Sequence, residues 1–435
     1  MNRDEIKALI LSNDSEKLRE LIVETKVLDV NMKDNSSNES LLKIACKAGF
    51  MECFTVLVDY DGSYSTNDDG HNYSLLQIIC NCGNVEMLRY VVEEKVKISD
   101  KEIFDVLSSS EDIWKNKNIV SILVDHIDDV NYKADSDESF LYIACQDGSA
   151  PTVQKLLDRG ASIGNDVGYL DPLEAASSRG HADVLNLLLN WCTSKQVPIS
   201  KGRLERALIS AADLGNVAAM KCLIAFGVDP DTLNAVLRMA VSSDQQEAAA
   251  CLLDHGADAN APTGQLNSAM TIACGDNRLA DMLLVLLSRG GDPNGLDTDG
   301  NSPLNYALFS MKATAMLLEH GADPDTPFPN GSTPLLDVVL SSAIDIDYIS
   351  LLLEHHADPN LAHLDTGVTA LMISAVNNKT DYVRLLLEHG ADVTQLNRDG
   401  QTVLDLLDEE KYSELYNLCT QYIDINKPGA KLLLK

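Results

Sequence analysis

Apolar residues along this chain fall into short clusters with helical spacing, and the clusters come in pairs. After Ser139, Leu141, Ile143, Ala144 and Cys145 form a small apolar face, Gly148 interrupts it, and Val153, Leu156 and Leu157 resume it. Apolar positions three and four residues apart predict amphipathic helices, here two short ones with a glycine between them. Gly160 follows the second cluster, where a helix ends and the backbone favours a positive φ. The runs that come next are polar and rich in Gly, Pro, Asn and Asp. They carry the turn dipeptides Asp69-Gly70, Asp299-Gly300, Asn330-Gly331 and Asp399-Gly400. The predicted unit is a helix, a second helix and an extended turn that projects to the next unit.

The unit recurs. One phrase runs Leu252-Leu-Asp-His-Gly-Ala-Asp-Ala-Asn260, then Leu286-Leu-Ser-Arg-Gly-Gly-Asp-Pro-Asn294 and Leu317-Leu-Glu-His-Gly-Ala-Asp-Pro-Asp325. It returns as Leu352-Leu-Glu-His-His-Ala-Asp-Pro-Asn360 and Leu386-Leu-Glu-His-Gly-Ala-Asp392, with a distant copy at Leu156-Leu-Asp-Arg-Gly-Ala161. Late copies lie about 31 to 35 residues apart, a solenoid period. Upstream runs a column of small polar residues: Ser40, Ser74, Ser139, Asp171, Asn234, Ser268, Ser302, Thr333, Thr369 and Thr402. Such side chains cap the free amides of a first helical turn, worth ~1 kcal/mol each. Pro172, Pro303 and Pro334 follow their caps at the helical position where proline costs nothing.

These features resemble the ankyrin repeat, whose motif is Thr-Pro-Leu-His-x-Ala at a period of 33 residues. Ser302-Pro-Leu-Asn-Tyr-Ala307 and Thr333-Pro-Leu-Leu336 come nearest to it, and Glu-His-Gly-Ala-Asp-Pro at 319–324 looks like the family's helix end. The resemblance covers essentially the whole chain and is most specific from about residue 135 onward. It implies an all-α ankyrin-repeat solenoid of about 12–13 helix-turn-helix units with projecting turns or hairpins. The expected organisation is one solenoid over 1–435, with an N-terminal capping unit at 1–31 and a C-terminal cap or tail at 402–435. The motif histidine is missing throughout, which predicts that its hydrogen bond is unavailable. Gly49, Gly83, Gly148, Gly180 and Gly215 hold the inter-helix glycine early on, whereas Ser243, Asn277, Met311, Ser342 and Asn378 stand there later. The unit at about 98–132 shows no clear cap and no glycine stop, so an irregular or lengthened unit is expected there.

Composition narrows the function. The 34 Lys and Arg stand against 66 Asp and Glu, a formal charge of −32. So acidic a surface repels phosphate backbones and anionic membranes and suits basic partners. Aromatics make up only 5%, too few for base-stacking platforms. No run reaches the ~20 apolar residues that span a bilayer; Met282–Leu287 is typical of the longest. No signal peptide is recognisable at Met1, and the 10 cysteines read as reduced thiols. The expectation is an intracellular, cytoplasmic protein; a nuclear one would obey the same physics.

Candidate chemistry resolves into structure. Cys46, Cys80, Cys145 and Cys274 share one repeat position and read as small core residues, although Cys80 and Cys82 form a Cys-x-Cys pair. His255, His320, His355 and His389 fall at the ends of second helices, where a cation suits the dipole. Asp68-Asp69, Asp128-Asp129 and Asp345-x-Asp347 read as solvated loop carboxylates. With no phosphate loop, nucleophile elbow or His-Glu-x-x-His, no catalytic residue, cofactor or metal ligand is assigned, and the chain is expected not to be an enzyme.

In the ankyrin family the face made by first helices and turns binds proteins. The resemblance therefore implies a scaffold or adaptor for protein partners, with no nucleic acid and no membrane insertion. The alternative is a recognition arm of a ubiquitin ligase or of a larger multidomain signalling protein. The register sets Tyr142, Gln146, Asp147, Glu174 and Arg179 on that face in the first half. Asp299, Asn305, Phe309 and Asn330 are their counterparts later. Residues 251–400 hold 20 acidic and 6 basic side chains, so the partner segments are expected to be basic.

Overall fold

A computed structural model describes residues 3–25, 41–61, 75–95, 98–164, 170–261, 268–308, 310–341 and 345–423. Among these residues the secondary structure is helical, with two isolated β-bridges, Lys133 to Ser139 and Ala362 to Thr369. Two of the projecting turns, at 133–139 and 362–369, thus close by single bridges. The chain divides into two compact units, Met1–Ala207 and Leu208–Lys435, and the division falls inside the helix Lys201–Asp213.

In the first unit, Phe140–Asp147 packs on Ala150–Asp158, and Pro172–Ser178 packs on Ala182–Lys195. Leu141, Ile143, Ala144, Cys145, Val153, Leu156 and Leu157 are all buried, as the apolar spacing predicts. The second unit repeats the pattern: Pro230–Ser242 with Gln246–Asp254, Pro334–Leu340 with Ile346–Glu354, and Ala370–Val376 with Thr380–Glu388.

The cap column holds at Ser139, Asp171, Ser268, Thr333 and Thr369. Ser139 accepts the Tyr142 N–H at 3.1 Å, Ser268 that of Thr271 at 3.2 Å, Thr333 that of Leu336 at 3.4 Å and Thr369 that of Met372 at 3.3 Å. Asp171 caps through Leu173 N–H at 2.9 Å. Ser40 and Ser74 lie outside the described residues. Asn234 is a misreading, because it sits inside Pro230–Ser242 while Asp229 caps that helix through Thr232 N–H at 3.1 Å. The inter-helix position also shifts by one: Asp244, not Ser243, has the positive φ of 53°, whereas Asn378 holds 55° as expected.

In three units another side chain makes the bond back to the cap that the missing motif histidine leaves open. Asn305 occupies the histidine position, and its Oδ1 accepts from Ser302 N–H at 2.9 Å and Ser302 Oγ–H at 2.8 Å. Asp405 serves Thr402 the same way, at 2.9 and 2.7 Å. Glu102 serves Ser99 at 3.0 and 2.7 Å, so the unit at 98–132 does have a cap. These are reciprocal capping boxes. That unit also carries three helices, Asp100–Ser109, Glu111–Lys115 and Lys117–Asp125.

At four places an Asn between two repeats ties one to the next. Asn131, Asn260, Asn294 and Asn360 accept the N–H of Ser162, Asp292, Asp323 and Asp392 at 2.6–2.8 Å. Their amide groups donate to the carbonyls of Gly160, Gly290, Gly321 and Gly390 at 2.9–3.3 Å. Where the Asn is absent a substitute works: Asn234 accepts Asp258 N–H at 2.7 Å, and Asp100 accepts Asp128 and Asp129 N–H at 2.8 Å each.

Asp325 is an incomplete rung. It accepts Asp358 N–H at 2.9 Å but, ionised, has no hydrogen to donate. Burial, then the Asp323 and Asp358 charges, push its carboxyl above the usual value, against the pull of the Asp358 N–H. A raised folded pKa means that its stabilising contribution is complete below the ordinary carboxylate range and is lost as pH rises through the raised value. Asp325→Asn is therefore expected to stabilise the second unit by about 1 kcal/mol at neutral pH, by restoring the donor. In urea titrations the gain should shrink toward pH 3; no gain at pH 7 would refute this account of the rung.

Candidate functional site

Helix Glu111–Lys115 exists because Ser110 caps it through Asp112 N–H at 3.1 Å and Asn116 ends it while capping the next helix. It carries Trp114 into the core, where Nε1–H donates to the Leu107 carbonyl at 2.8 Å. It also carries Glu111 toward the ends of the first helices of the following repeats. The result is a cleft of about 320 Å³, whose lining includes Glu111, Trp114, Glu138, Gln146, Asp147 and Arg179.

Two repeats are locked together at its floor. His181 donates from Nε2 to the Gln146 carbonyl at 3.1 Å. The ring lies so close to Gly148 that a Cβ there would be 2.4 Å from His181 Nδ1, and Gly148 has φ of +86°. Glycine is required here for both reasons. Burial raises the Asp147 carboxyl, with Glu111 adding to the rise and His181 opposing it. Tyr142 is raised by burial, then by Glu138 and Glu174, and is lowered by Arg179. The Arg179–Glu111 pair, 3.6 Å apart, is exposed on both sides and contributes little stability.

Of the residues singled out from sequence, Gln146, Asp147 and Arg179 thus meet in one cleft, and Tyr142 feels the charges of Glu138, Glu174 and Arg179. Glu111, Glu138 and Trp114 were missed. The irregularity at 98–132 is the only signal for Glu111 and Trp114, and Glu138 lies outside it. In the second unit Asp299 and Asn330 are exposed in turns, and Asn305 is half-buried with its amide oxygen committed to Ser302. Phe309 lies outside the described residues.

The other candidate groups have structural partners. His255, His320 and His389 reach through Nδ1 to the carbonyls of Cys251, Met316 and Leu385 at 2.7, 2.7 and 2.9 Å, capping their helices. Burial pushes the Cys80 and Cys274 thiols up to about 12 each, and those of Cys46 and Cys145 are raised for the same reason. Asp345 caps a helix through Ile346 N–H at 2.7 Å. No group of three or more His, Cys, Asp or Glu among the described residues is placed to hold a metal ion. No described helix is long and apolar enough to cross a membrane.

Helical pairs at a period near 33 residues, tied by forward-reaching asparagines, define a repeat protein built from ankyrin-type hairpins. Known sequences agree. The profile described as "Ankyrin repeats (3 copies)" matches residues 6–102, 112–198, 173–263 and 338–428, and "Ankyrin repeats (many copies)" matches 252–307. The chain belongs to the ankyrin-repeat family. It is 30% identical over 164 residues to "Ankyrin repeat and KH domain-containing protein mask-1" of Caenorhabditis elegans, covering 37% of this chain and 6% of that protein. "Putative ankyrin repeat protein L371" of Acanthamoeba polyphaga mimivirus is 24% identical over 382 residues, 77% of this chain and 48% of the relative. Human "Ankyrin repeat and SOCS box protein 6" is 28% identical over 218 residues, 43% and 51% respectively. The chain spans about half the length, or less, of these relatives.

Proposed function

We propose that this chain is a protein-interaction scaffold or adaptor that holds basic segments of partner polypeptides on the faces formed by its first helices and turns. Ankyrin repeats are interaction modules, and the family assignment supports the coarse reading. The observation that carries the finer one is the cleft at the irregular unit, where Glu111, Glu138 and Asp147 surround Trp114 beside a single arginine, Arg179. A lysine or arginine side chain entering there meets carboxylates, and the net −32 charge steers it in.

The test uses the whole chain and a fluorescein-labelled lysine–serine dodecapeptide. Affinity is expected to fall about ten-fold or more from 50 to 500 mM salt as screening shortens the Debye length to a few Å. The double variant Glu111→Lys, Glu138→Lys should weaken binding about three- to ten-fold further at low salt. Affinity indifferent to salt would sink the charge-based reading. A recognition arm within a larger protein, of a ubiquitin ligase for example, is the second reading. It draws support from relatives whose names pair the repeats with a SOCS box or a BTB/POZ domain.

A further inference from the structure

The repeat that starts at Ser302 is short. From Ser302 to Thr333 is 31 residues, against 34 from Ser268 to Ser302 and 36 from Thr333 to Thr369. The shortening falls on its first helix. Pro303–Ala307 has 5 residues where Ala269–Gly275, Pro334–Leu340 and Ala370–Val376 have 7 each. A missing half-turn leaves the end of the next repeat's first helix without its usual neighbour. A pocket of about 450 Å³ opens at that point, lined by Tyr306, Leu308, Phe328, Asp337 and Leu340 among others.

The chemistry of this pocket is mixed in a defined way. Leu308 and Phe328 are buried in its wall, whereas Leu340 at its rim is 57% exposed. The rim on the turn side is polar and ordered: Tyr306 O–H donates to Asp297 Oδ2 at 2.5 Å, and Asn301 N–H donates to Asp297 Oδ1 at 2.8 Å. Burial pushes the Asp297 carboxyl up, but the bonds from Tyr306 and Asn301 outweigh it and hold it below its usual value, hence ionised. Burial and that same carboxylate raise the Tyr306 hydroxyl to about 12, so it stays a donor. Asp337 accepts from Ser332 Oγ–H at 2.5 Å. Two carboxylates thus stand beside the apolar opening, Asp337 in its lining and Asp297 behind Tyr306, in a stretch where acidic side chains outnumber basic ones by 20 to 6. Apolar surface invites a hydrophobic side chain, and the carboxylates select its neighbours by charge.

We propose that this pocket takes one large aliphatic or aromatic side chain of a partner peptide whose flanking residues are lysine or arginine. The proposal rests on the reading that basic segments are this chain's ligands, and adds to it a single apolar anchor at a stated place. Anchors of this kind, seated in a pocket and surrounded by complementary charge, supply most of the affinity in many interfaces.

The whole chain is titrated by fluorescence polarisation with two labelled dodecapeptides, identical in their lysines and arginines, one with a central Leu and one with Ala there. The Leu peptide is expected to bind about ten-fold tighter, the effect of burying a few methylene groups. Leu340→Glu, a change at an exposed position whose folding is checked by circular dichroism, should bring the two affinities within about two-fold of each other. Equal binding of the two peptides, with the salt dependence kept, would overturn the anchor and leave the charge reading standing. A preference for Leu that survives Leu340→Glu would remove the anchor from this pocket. Binding of neither peptide at low salt would overturn both readings together.

Discussion

Replacing Arg203 by methionine is expected to destabilise the first unit by roughly 3–5 kcal/mol, the usual result of stripping one partner from a buried pair. Arg203 and Asp171 are only 3% and 4% exposed. Arg203 grips Asp171 with two bonds, Nε to Oδ2 at 2.6 Å and Nη2 to Oδ1 at 2.9 Å, and gives a further one from Nη2 to the Ile163 carbonyl at 2.9 Å. Asp171 meanwhile caps Pro172–Ser178, so one pair joins a loop, that helix and the helix Lys201–Asp213. In Arg203→Met the carboxylate would stay buried with the Leu173 N–H and a distant Arg206, 3.9 Å away. Urea unfolding followed by circular dichroism measures the loss. Adding Asp171→Asn removes the stranded charge and should return part of the stability. A single-variant loss below about 1 kcal/mol would mean that Arg206 swings in and replaces the missing partner.

Trp114→Ala is expected to cost about 3–5 kcal/mol as well, by a different route, cavity formation in a packed site. The ring is 8% exposed, and its Nε1–H satisfies the Leu107 carbonyl. Trp114→Phe, which keeps most of the volume, should lose about 1–2 kcal/mol, the share of the hydrogen bond. Because Trp114 also lines the cleft, Trp114→Ala should weaken binding of the lysine–serine peptide, whereas Trp114→Phe should preserve most of it. Equal losses of stability in the two variants would show that the indole hydrogen bond, not the packing, sets the value of this residue.

Much of the fold was legible in the sequence, because each repeat states its own boundaries in residues with narrow conformational uses. Ser139, Ser268, Thr333 and Thr369 cap where the period put them, and Gly160, Gly256, Gly321 and Gly390 take positive φ where helices end. The misreading at Asn234 has a specific cause. Gly227-Val-Asp-Pro230 looks like the helix-end phrase Gly321-Ala-Asp-Pro324, in which Asp-Pro opens a turn. At 229–230 there is no projecting turn, so the same dipeptide becomes a cap and a first helical residue. The cleft was only half visible: Gln146, Asp147 and Arg179 follow from register, but Glu111 and Trp114 depend on an extra helix that breaks the period. Departures from a repeat carry information that the repeat itself cannot predict.

The asparagine rungs have a consequence for how such a chain changes over generations. Each rung belongs half to one repeat and half to its successor, with the same geometry at Asn260, Asn294 and Asn360. A crossover or duplication whose ends fall at equivalent positions in two repeats therefore delivers a finished joint, whichever blocks it brings together. One that falls out of register leaves a half-joint and an exposed apolar flank. Repeat number can thus drift through lineages while the joint chemistry stays fixed, and new binding faces can be assembled by shuffling whole blocks.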